Sequence, residues 1–402
     1  MANIADKTIV YIARDLERAL GVQTTIAAYF IITNSTPFAK KMSSLNKNII
    51  LVDSPHILDT HELLTHPDTE KFLNSQVNPL LLVFKNTTTI EQICETHGWK
   101  LLNPAATLAN QVEEKISQVT WLGDLARFLP KHQIQLLKDV QFTGESFILQ
   151  FNRAHTGNGT ILIDNENTLR ELREKFPERP VRITTFVSGT MITSNNIVFE
   201  DTILVGNPNV QITGLAPFTD LPFATVGNDW ALGNSILTES QQKQYKAMVT
   251  TIGEKLRASG WHGLFGTDII LANNGQLYLI EINARQPAGT TFESQLQQKS
   301  PTVFDAHLLS LLGEKAEDQL LTEVNDGAQL ILRNQTAVKF SETNLTVFTA
   351  RLQSGGFTVT RYTNTEPGSD LVRIQSQRGL MKSPTQLNEH GESIVTALNC
   401  SR

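Results

Sequence analysis

Three polar side chains occur two residues apart near the end of an apolar segment. The segment YLIEINARQPAG, residues 278–289, contains Glu281, Asn283 and Arg285, and one apolar residue separates each from the next. Because side chains alternate across a β-strand, the carboxylate, the amide and the guanidinium should lie on one face. A carboxylate and an amide oxygen on one face are potential ligands of a divalent cation.

The preceding segment brings a second carboxylate to this face. GTDIILANNGQLYLIEINAR contains an Asn-Gly pair at residues 274–275, which is a strong signal for a β-hairpin turn. If these two residues form the turn, Asp268 lies directly opposite Glu281, and like charges at that spacing destabilise a sheet. Two facing carboxylates beside the amide of Asn283 suit Mg²⁺, which would also remove their repulsion. The alternative is the solvated face of an antiparallel sheet, in which an arginine offsets two acids.

The composition limits the classes of protein to which the chain can belong. Its 402 residues predict two to four domains, and a net charge of −6 without a basic block argues against a nucleic-acid partner. There is no run of about 18 apolar residues, so we expect no membrane partner. The N-terminus does not resemble a signal peptide, and Cys94 and Cys400 are far apart. We therefore expect a cytoplasmic protein.

The first hundred residues alternate apolar runs with helical stretches. Continuous apolar strands separated by helices predict a parallel sheet that is covered on both faces. The strands are predicted at TIVYIA (8–13), TIAAYFIIT (25–33), NIILVD (48–53) and PLLLVF (79–84). No G-x-G-x-x-G motif follows the first strand, so a dinucleotide site is not supported there.

The remaining chain mixes helices and antiparallel strands. We predict a helix within 101–130 that is capped by Asn103, and a long helix over 238–260 that is capped by Thr238 or Ser240. The other predicted features are a strand, glycine loop and strand at 145–163, a helix at 165–180, strands around a turn at 181–189 and 190–206, a hairpin at 266–285, a helix at 302–313 and a separate strand-rich domain in the last 85 or so residues.

The hairpin residues resemble those of ATP-grasp enzymes, a superfamily that includes biotin carboxylase, the carbamoyl-phosphate synthetases and many carboxylate–amine ligases. In this superfamily the final hairpin carries an acid on one strand and a Glu-x-Asn-x-Arg signature on the next. The resemblance implies that Asp268, Glu281 and Asn283 bind Mg²⁺, or alternatively Mn²⁺, that bridges the phosphates of ATP. It also implies that Arg285, with Asn283, acts on the reacting phosphoryl or acyl group.

Other segments occur in the order that the resemblance requires. It implies that Lys115, on the helix within 101–130, reaches the ATP phosphates, although a lysine on such a helix is usually solvated. It also implies a flexible loop in ILQFNRAHTGNGTILI, whose Gly157 and Gly159 would let main-chain N–H groups close over phosphates. An ordinary hairpin turn is the alternative interpretation of this loop. RITTFVSGTMI resembles the strand that holds the adenine.

The adenine contacts are implied at Thr184, Phe186 and Val187, through the main chain, while the side chains of Phe186 and Val187 are expected in the core. Two positions depart from the superfamily. Gln150 replaces a phosphate-binding lysine or arginine, and threonines replace a glutamate that holds the nucleotide. We expect Arg153 or His155 of the loop to replace the missing charge. The resemblance covers roughly residues 1–313.

The resemblance implies an α/β and α+β multidomain protein. The expected parts are a Rossmann-like parallel sheet (1–105), a small ATP-grasp subdomain with the glycine loop (106–187), a large subdomain with the metal site (188–313) and a small strand-rich C-terminal domain (314–402). The implied activity is an ADP-forming carboxylate–amine ligase that works through an acyl phosphate. The alternatives are carboxyphosphate chemistry, a kinase, or a non-catalytic nucleotide-binding module.

The resemblance gives less information about the substrates and the oligomeric state. Amino acids or short peptides are plausible substrates because they are common among relatives, and a homodimer is conceivable. We expect the loops at 214–233 and 285–295 to shape the choice of acceptor. In the first of these loops, Asp229 and Trp230 either line a cleft or lie on the surface.

Overall fold

The N-terminal region forms the predicted parallel sheet. The computed structural model describes residues 7–22, 28–152, 159–299, 301–316, 320–334, 340–362 and 368–401. The sheet has the strand order β3-β2-β1-β4-β5, and all its pairs are parallel. Its elements are β1 (Ile9–Ala13), β2 (Tyr29–Asn34), α1 (Pro37–Leu45), β3 (Ile49–Val52), α2 (Thr60–Leu64), α3 (Pro67–Ser75), β4 (Leu80–Val83), α4 (Thr88–His97) and β5 (Lys100–Leu101).

A broken helix connects this sheet to the next one. The prediction of one helix capped by Asn103 is wrong, because α5 (Ala106–Glu113) and α6 (Ser117–Leu122) are separate helices. The side chain of Asn103 instead bonds the main chain of Val83, as acceptor and as donor. The break leaves Lys115 between the two helices rather than on a helix, which determines how it is held in the site. Short 3₁₀ helices occur at Leu16–Ala19, Gly123–Phe128 and Leu137–Asp139.

A small antiparallel sheet follows, with the strand order β6-β9-β7-β8. Its strands are β6 (His132–Leu136), β7 (Phe147–Phe151), β8 (Thr160–Ile163) and β9 (Pro180–Thr185), and α7 (Glu166–Lys175) connects the last two. One face packs Leu149, Phe151 and Val181 into a core of its own. The opposite face carries Gln150 and Arg182, which are register partners across β7 and β9.

A large sheet of nine strands completes the fold. It runs in the order β15-β14-β10-β12-β13-β16-β18-β17, with β11 paired to β10. Its elements are β10 (Gly189–Val198), β11 (Ile203–Leu204), β12 (Asn209–Thr213), β13 (Thr225–Asp229), α8 (Trp230–Ile236), α9 (Glu239–Ala258), β14 (Gly263–Ala272), β15 (Leu277–Asn283), α10 (Thr290–Gln297), α11 (Val303–Leu311), β16 (Ala328–Arg333), α12 (Glu342–Ser354), β17 (Thr358–Arg361) and β18 (Asp370–Ser376). The capping of α9 by Thr238 is confirmed, as part of a capping box.

One predicted relationship between strands is wrong. The prediction placed β9 and β10 around a turn, whereas they belong to different sheets and residues 186–188 connect those sheets. The last part of the chain is strand-rich, as predicted, and its strands β16, β18 and β17 extend the large sheet. The chain then ends with β19 (Met381–Ser383), β20 (Gln386–Leu387) and α13 (Glu389–Asn399).

Helix α11 lies in the core that the N-terminal sheet shares with the large sheet. Phe304 and Leu308 of α11 pack in one buried cluster with Tyr11 of β1, Ile197 of β10 and Leu264 of β14. This shared core fixes the edge of the N-terminal sheet next to the β14/β15 hairpin. Among the helices of the described residues, none is long and apolar enough to cross a membrane.

Candidate functional site

The hairpin of β14 and β15 places Asp268 opposite Glu281, as predicted, but its turn and its initial register differ from the prediction. The loop has three residues instead of two, because the Ala272 N–H bonds the Gln276 carbonyl (2.9 Å) and Gly275 adopts a φ of +85°. Register partners are therefore offset by one residue until a β-bulge at Ile280 restores the predicted pairing. The prediction of the pair was correct and that of the turn was wrong.

The bulge also determines which side chains point away from the core. Leu279, before the bulge, and Ile282, after it, are both fully buried in the same apolar cluster. Glu281 and Asn283 therefore lie on the opposite face, together with Asp268 of the neighbouring strand. Without the bulge, strict alternation would place Glu281 on the same face as Leu279, in the apolar core.

Asn283 connects the hairpin carboxylate to the arginine that follows. Its amide nitrogen donates to Asp268 Oδ2 (3.2 Å), and its amide oxygen accepts from Arg285 Nη2 (2.8 Å). Gln211 of β12 donates to the other oxygen of Asp268 (3.3 Å), a contact that the sequence analysis missed. The Asp268, Asn283 and Arg285 side chains are thus one hydrogen-bonded group.

Lys115 reaches this group from the break between α5 and α6. Its ammonium nitrogen lies 2.9 Å from Glu281 Oε2. Asn152 of the small subdomain holds the break, since its main-chain oxygen accepts from Lys115 N–H (3.2 Å) and its Oδ1 accepts from Ile116 N–H (2.9 Å). The Asn152 amide in turn donates to Glu114 Oε2 (2.8 Å).

Glu113, which the sequence analysis also missed, orients the arginine. Its carboxylate lies 3.3 Å from Arg285 Nε and 2.5 Å from the ammonium of Lys85. The guanidinium of Arg285 also lies over the Phe84 ring, 5.7 Å from its centroid. Phe84 and Lys85 follow β4, so the carboxyl edge of the N-terminal sheet borders the site, where ligands commonly bind in such sheets.

The two facing carboxyls have opposite pKa shifts. Burial, together with the repulsion of Glu281, raises the pKa of Asp268 to about 6. Burial alone would raise the pKa of Glu281 as well, but the Lys115 ammonium, with Arg285 and Arg182, holds it below its usual value. Ionised Asp268 is therefore the costly member of the pair in the absence of a ligand.

The donor set fits Mg²⁺. Two carboxylates and an amide oxygen are hard oxygen ligands, and Mg²⁺ is commonly bound by one or two carboxylates together with substrate phosphates. The described residues contain no group of three or more His, Cys, Asp or Glu side chains that could hold a metal by themselves. A cation would remove the repulsion that raises the pKa of Asp268.

Gln150 contacts a buried arginine. Arg182, only 2% exposed, donates from Nε to Gln150 Oε1 (2.9 Å) and from Nη1 to Gln118 Oε1 (3.1 Å). Arg182 lies close enough to Glu281 to lower the pKa of that carboxyl. The sequence analysis missed Arg182, although an arginine in the apolar run VRITTF was a usable signal.

The predicted adenine contacts lie at the end of β9 and just after it. Thr184 is 8% exposed and lies on the same face of β9 as Arg182. Phe186 and Val187 follow the strand, and no hydrogen bond joins their main-chain groups to another described residue. The expectation that Phe186 lies in the core is wrong, because its side chain is 39% exposed. A planar ligand could use both its ring and the free main chain.

The glycine loop lies mostly outside the described residues. Arg153, His155 and Gly157 belong to the segment 153–158, of which the structure describes nothing. Gly159 is described, and its carbonyl accepts from Phe151 N–H (3.0 Å) at the start of β8. The strands on either side of the predicted loop are therefore paired up to its ends.

Asp229 and Trp230 do not line a cleft, nor do they lie on the surface, so both alternatives were wrong. Both residues have no exposed surface. The Asp229 carboxylate caps α8 by accepting from Leu232 N–H (2.8 Å), and it also accepts from Leu380 and Met381 N–H (2.7 and 2.9 Å). This aspartate has a structural role, because it joins α8 to the C-terminal strands.

Similarity to known proteins is found in structure and not in sequence. No protein-family model and no curated protein matches the sequence significantly. N5-carboxyaminoimidazole synthase from Aspergillus clavatus, in complex with ADP and 5-aminoimidazole ribonucleotide, superposes with a TM-score of 0.67 at 12% identity, over 98% of this chain and 99% of that chain. Phosphoribosylamine–glycine ligase from Thermotoga maritima gives 0.64 at 12% identity, over 98% and 96%. The chain has the ATP-grasp fold.

The ATP-grasp fold extends further along the chain than the sequence indicated. N5-carboxyaminoimidazole ribonucleotide synthetase from Thermotoga maritima superposes over 98% of this chain and 97% of that chain, with a TM-score of 0.63 at 15% identity. The match therefore includes most of residues 314–402, for which the sequence showed no resemblance. The predicted fold class, with its parallel sheet, two α+β parts and strand-rich C-terminal part, is confirmed.

Proposed function

We propose that the protein is an ATP-dependent, ADP-forming ligase that activates a carboxylate as an acyl phosphate for attack by an amine. The observation that carries this proposal is the polar group on the β14/β15 hairpin, where Asp268, Glu281, Asn283 and Arg285 meet Lys115. Phosphoryl transfer requires positioning and charge neutralisation rather than covalent catalysis, and this group can supply both.

Each residue of the group has a distinct role in the proposed reaction. Asp268, Glu281 and Asn283 would hold Mg²⁺, which neutralises negative charge on the phosphates when it is bound. Lys115, now paired with Glu281 at 2.9 Å, is close enough to bind a phosphate oxygen. Arg285 would bind the transferred phosphoryl group, and Glu113 and Asn283 orient its guanidinium for this purpose.

Different elements would bind the adenine and the phosphates. The main-chain groups of Phe186 and Val187, which form no hydrogen bond with another described residue, would contact the adenine, and the hairpin with Lys115 would contact the phosphates. Structures with the same fold contain ADP or ATP, which supports a nucleotide in this chain.

A second candidate is the activation of bicarbonate as carboxyphosphate, followed by carboxylation of an amine. The observation that favours it is the similarity to N5-carboxyaminoimidazole synthases from several species, one of which is in complex with 5-aminoimidazole ribonucleotide. The same hairpin would serve both reactions, because each begins with phosphoryl transfer to a carboxylate oxygen.

The test measures ADP release and traps the intermediate. The purified protein is incubated with Mg-ATP and either pools of amino acids and other carboxylates or bicarbonate, with and without amines. Hydroxylamine converts an acyl phosphate to a hydroxamate, so hydroxamate formation would identify the ligase reaction. ADP release that requires bicarbonate and an amine, without hydroxamate, would identify the carboxylation.

Variants connect the activity to the hairpin. Glu281→Ala and Asn283→Ala should abolish ADP release, whereas Asn274→Ala, at an exposed position in the loop of the same hairpin, should not. Phosphorylation of a single substrate without a second acceptor would identify a kinase and contradict the ligase proposal. Mg-dependent binding of ATP without ADP release from any pool would favour a non-catalytic nucleotide-binding protein.

A further inference from the structure

Gln150 and Arg182 form a pair that no part of the site described so far explains. Gln150 faces Arg182 across β7 and β9, and both side chains are almost completely buried, at 4% and 2% exposure. The guanidinium donates to the amide oxygens of Gln150 and Gln118, which are both neutral. Among the described residues, no carboxylate forms an ion pair with Arg182 within 4 Å.

A buried arginine without an ion pair is costly, so its charge requires an explanation. Removal of a guanidinium from water costs several kcal/mol unless an anion compensates it. Glu281 compensates part of this charge, because Arg182 is one of three cations that lower the pKa of this carboxyl. Burial nevertheless lowers the pKa of Arg182 to about 10, so this compensation is incomplete.

The hydrogen bonds give the Gln150 amide a defined orientation. Its oxygen accepts from Arg182 Nε (2.9 Å), so its NH₂ group must point the other way, and there the amide donates to Thr160 Oγ1 at 3.3 Å. Thr160 begins β8, directly after the predicted phosphate loop. A positive charge on the oxygen side of an amide polarises it and strengthens its N–H donors.

We propose that Gln150 donates its amide N–H to the phosphates of a bound nucleotide, and that Arg182 is the positioning residue that orients Gln150 and supplies the positive charge. This inference rests on the proposed nucleotide site. It assigns the missing charge to β9, in the rigid sheet, instead of to Arg153 or His155 in the loop. The glutamine and the arginine together replace the single cation expected at position 150.

Binding of nucleotides to the full-length chain tests the pair without the need for catalysis. The dissociation constants of Mg-ADP and of adenosine are measured by titration, adenosine by competition. Arg182→Gln should weaken Mg-ADP binding about 10- to 100-fold, the value of a charge-assisted hydrogen bond, and leave adenosine binding unchanged. Gln150→Met, which retains the arginine, should weaken Mg-ADP binding in the same direction.

A variant that moves the positive charge from position 182 to position 150 distinguishes a role of Arg182 in phosphate binding from a purely structural role. The double variant Gln150→Lys/Arg182→Gln should restore Mg-ADP affinity to within about threefold of the native value, because the cation returns to the phosphate side. Arg179→Gln is the matched control. Arg179 is exposed and directly precedes β9, and its guanidinium stacks on Phe151 and Phe176. It should leave both dissociation constants unchanged.

The outcomes distinguish the failure of this inference from that of the proposed function. Native Mg-ADP affinity in Gln150→Met, or a double variant that binds no better than Arg182→Gln, would overturn the role of the pair while the nucleotide site stands. If Arg182→Gln does not fold, Gln150→Met, which retains the arginine, still decides. A native protein that binds adenosine and Mg-ADP equally weakly would overturn the proposed function, and this inference with it.

Discussion

The Lys115 ammonium lies 2.9 Å from the Glu281 carboxylate, across the interface between the broken helix and the large sheet. This contact occupies the carboxylate that would otherwise bind a cation. Under the proposed function, Mg-ATP would exchange this ion pair for two new ones, between the lysine and a phosphate and between the carboxylate and the metal. The lysine would then stabilise the unliganded site and bind the nucleotide in turn.

This exchange predicts that a single variant and a double variant differ in stability but not in nucleotide affinity. Lys115→Met should weaken Mg-ATP binding at least about tenfold and lower the free energy of unfolding by about 1–3 kcal/mol, because it leaves Glu281 partly buried without its nearest cation. Lys115→Met/Glu281→Gln should recover the stability but not the affinity. Denaturant titration and nucleotide titration measure the two effects. Equal loss of stability in both variants would contradict the exchange.

Removal of the repelling carboxylate should stabilise the unliganded protein. Since burial and Glu281 raise the pKa of Asp268 to about 6, Asp268→Asn should increase the free energy of unfolding at pH 8 by about 3 kcal/mol. The same variant should lose the Mg²⁺-dependent part of ATP binding. The control is Asp124→Asn, at an exposed position in a 3₁₀ helix. A destabilised Asp268→Asn protein would show that Asp268 has a structural role.

The position of Lys115 should depend on Asn152. Asn152→Ala removes the acceptor for Ile116 N–H and the donor to Glu114, so Lys115 loses its fixed position and ATP affinity should fall about 3- to 30-fold. Asn152→Asp keeps the acceptor but places a second negative charge beside Glu114, and should recover only part of the affinity. Nucleotide titration at constant Mg²⁺ measures this series. Native affinity in Asn152→Ala would exclude the positioning role.

Glu293 predicts a pH dependence of stability that is independent of the nucleotide. Burial raises the pKa of this α10 carboxyl to about 7, although Asn207 (3.0 Å) and Asn195 donate to it. The folded protein therefore binds the proton more tightly than the unfolded chain does. The stabilisation is fully present below about pH 4.5 and is lost as the pH rises through 7.

One pKa unit corresponds to about 1.4 kcal/mol, so the native protein should lose about 3 kcal/mol relative to Glu293→Gln between about pH 4 and pH 8. Denaturant unfolding of both proteins at a series of pH values measures this difference, and titrating groups common to both cancel. A difference that does not change with pH would show that the Glu293 carboxyl ionises with its ordinary pKa.

The sequence predicted the facing carboxylates because the three-residue loop and the bulge at Ile280 shift the strand register in opposite directions and cancel. The Asn-Gly signal does not distinguish a two-residue loop from a three-residue loop whose last glycine has positive φ. The bulge at Ile280 leaves no mark in the alternation of LYLIEIN, because every residue before Glu281 in this segment is apolar or aromatic. The buried face of each half of β15 follows from packing against α9 and α5, and a local pattern does not contain such contacts.

The residues that were missed have partners far away in the chain. Arg182 is held by Gln150 and Gln118, which lie 32 and 64 residues away. The break at Lys115 results from main-chain bonds to Asn152, although the apolar stripe continues through Ile116 as it would in one helix. Propensity and periodicity describe neighbours within a few residues, so such tertiary contacts override them without a local signal.

The position of α11 limits how this chain can be divided. Because Phe304 fills the core beneath Tyr11, a fragment that ends near residue 105 would expose one whole apolar face of its parallel sheet to water. We expect such a fragment to aggregate when it is expressed alone, and to become soluble when the remainder of the chain is supplied separately. We therefore expect that the first hundred residues do not fold stably as an independent domain, because their stability depends on α11, about two hundred residues later in the chain.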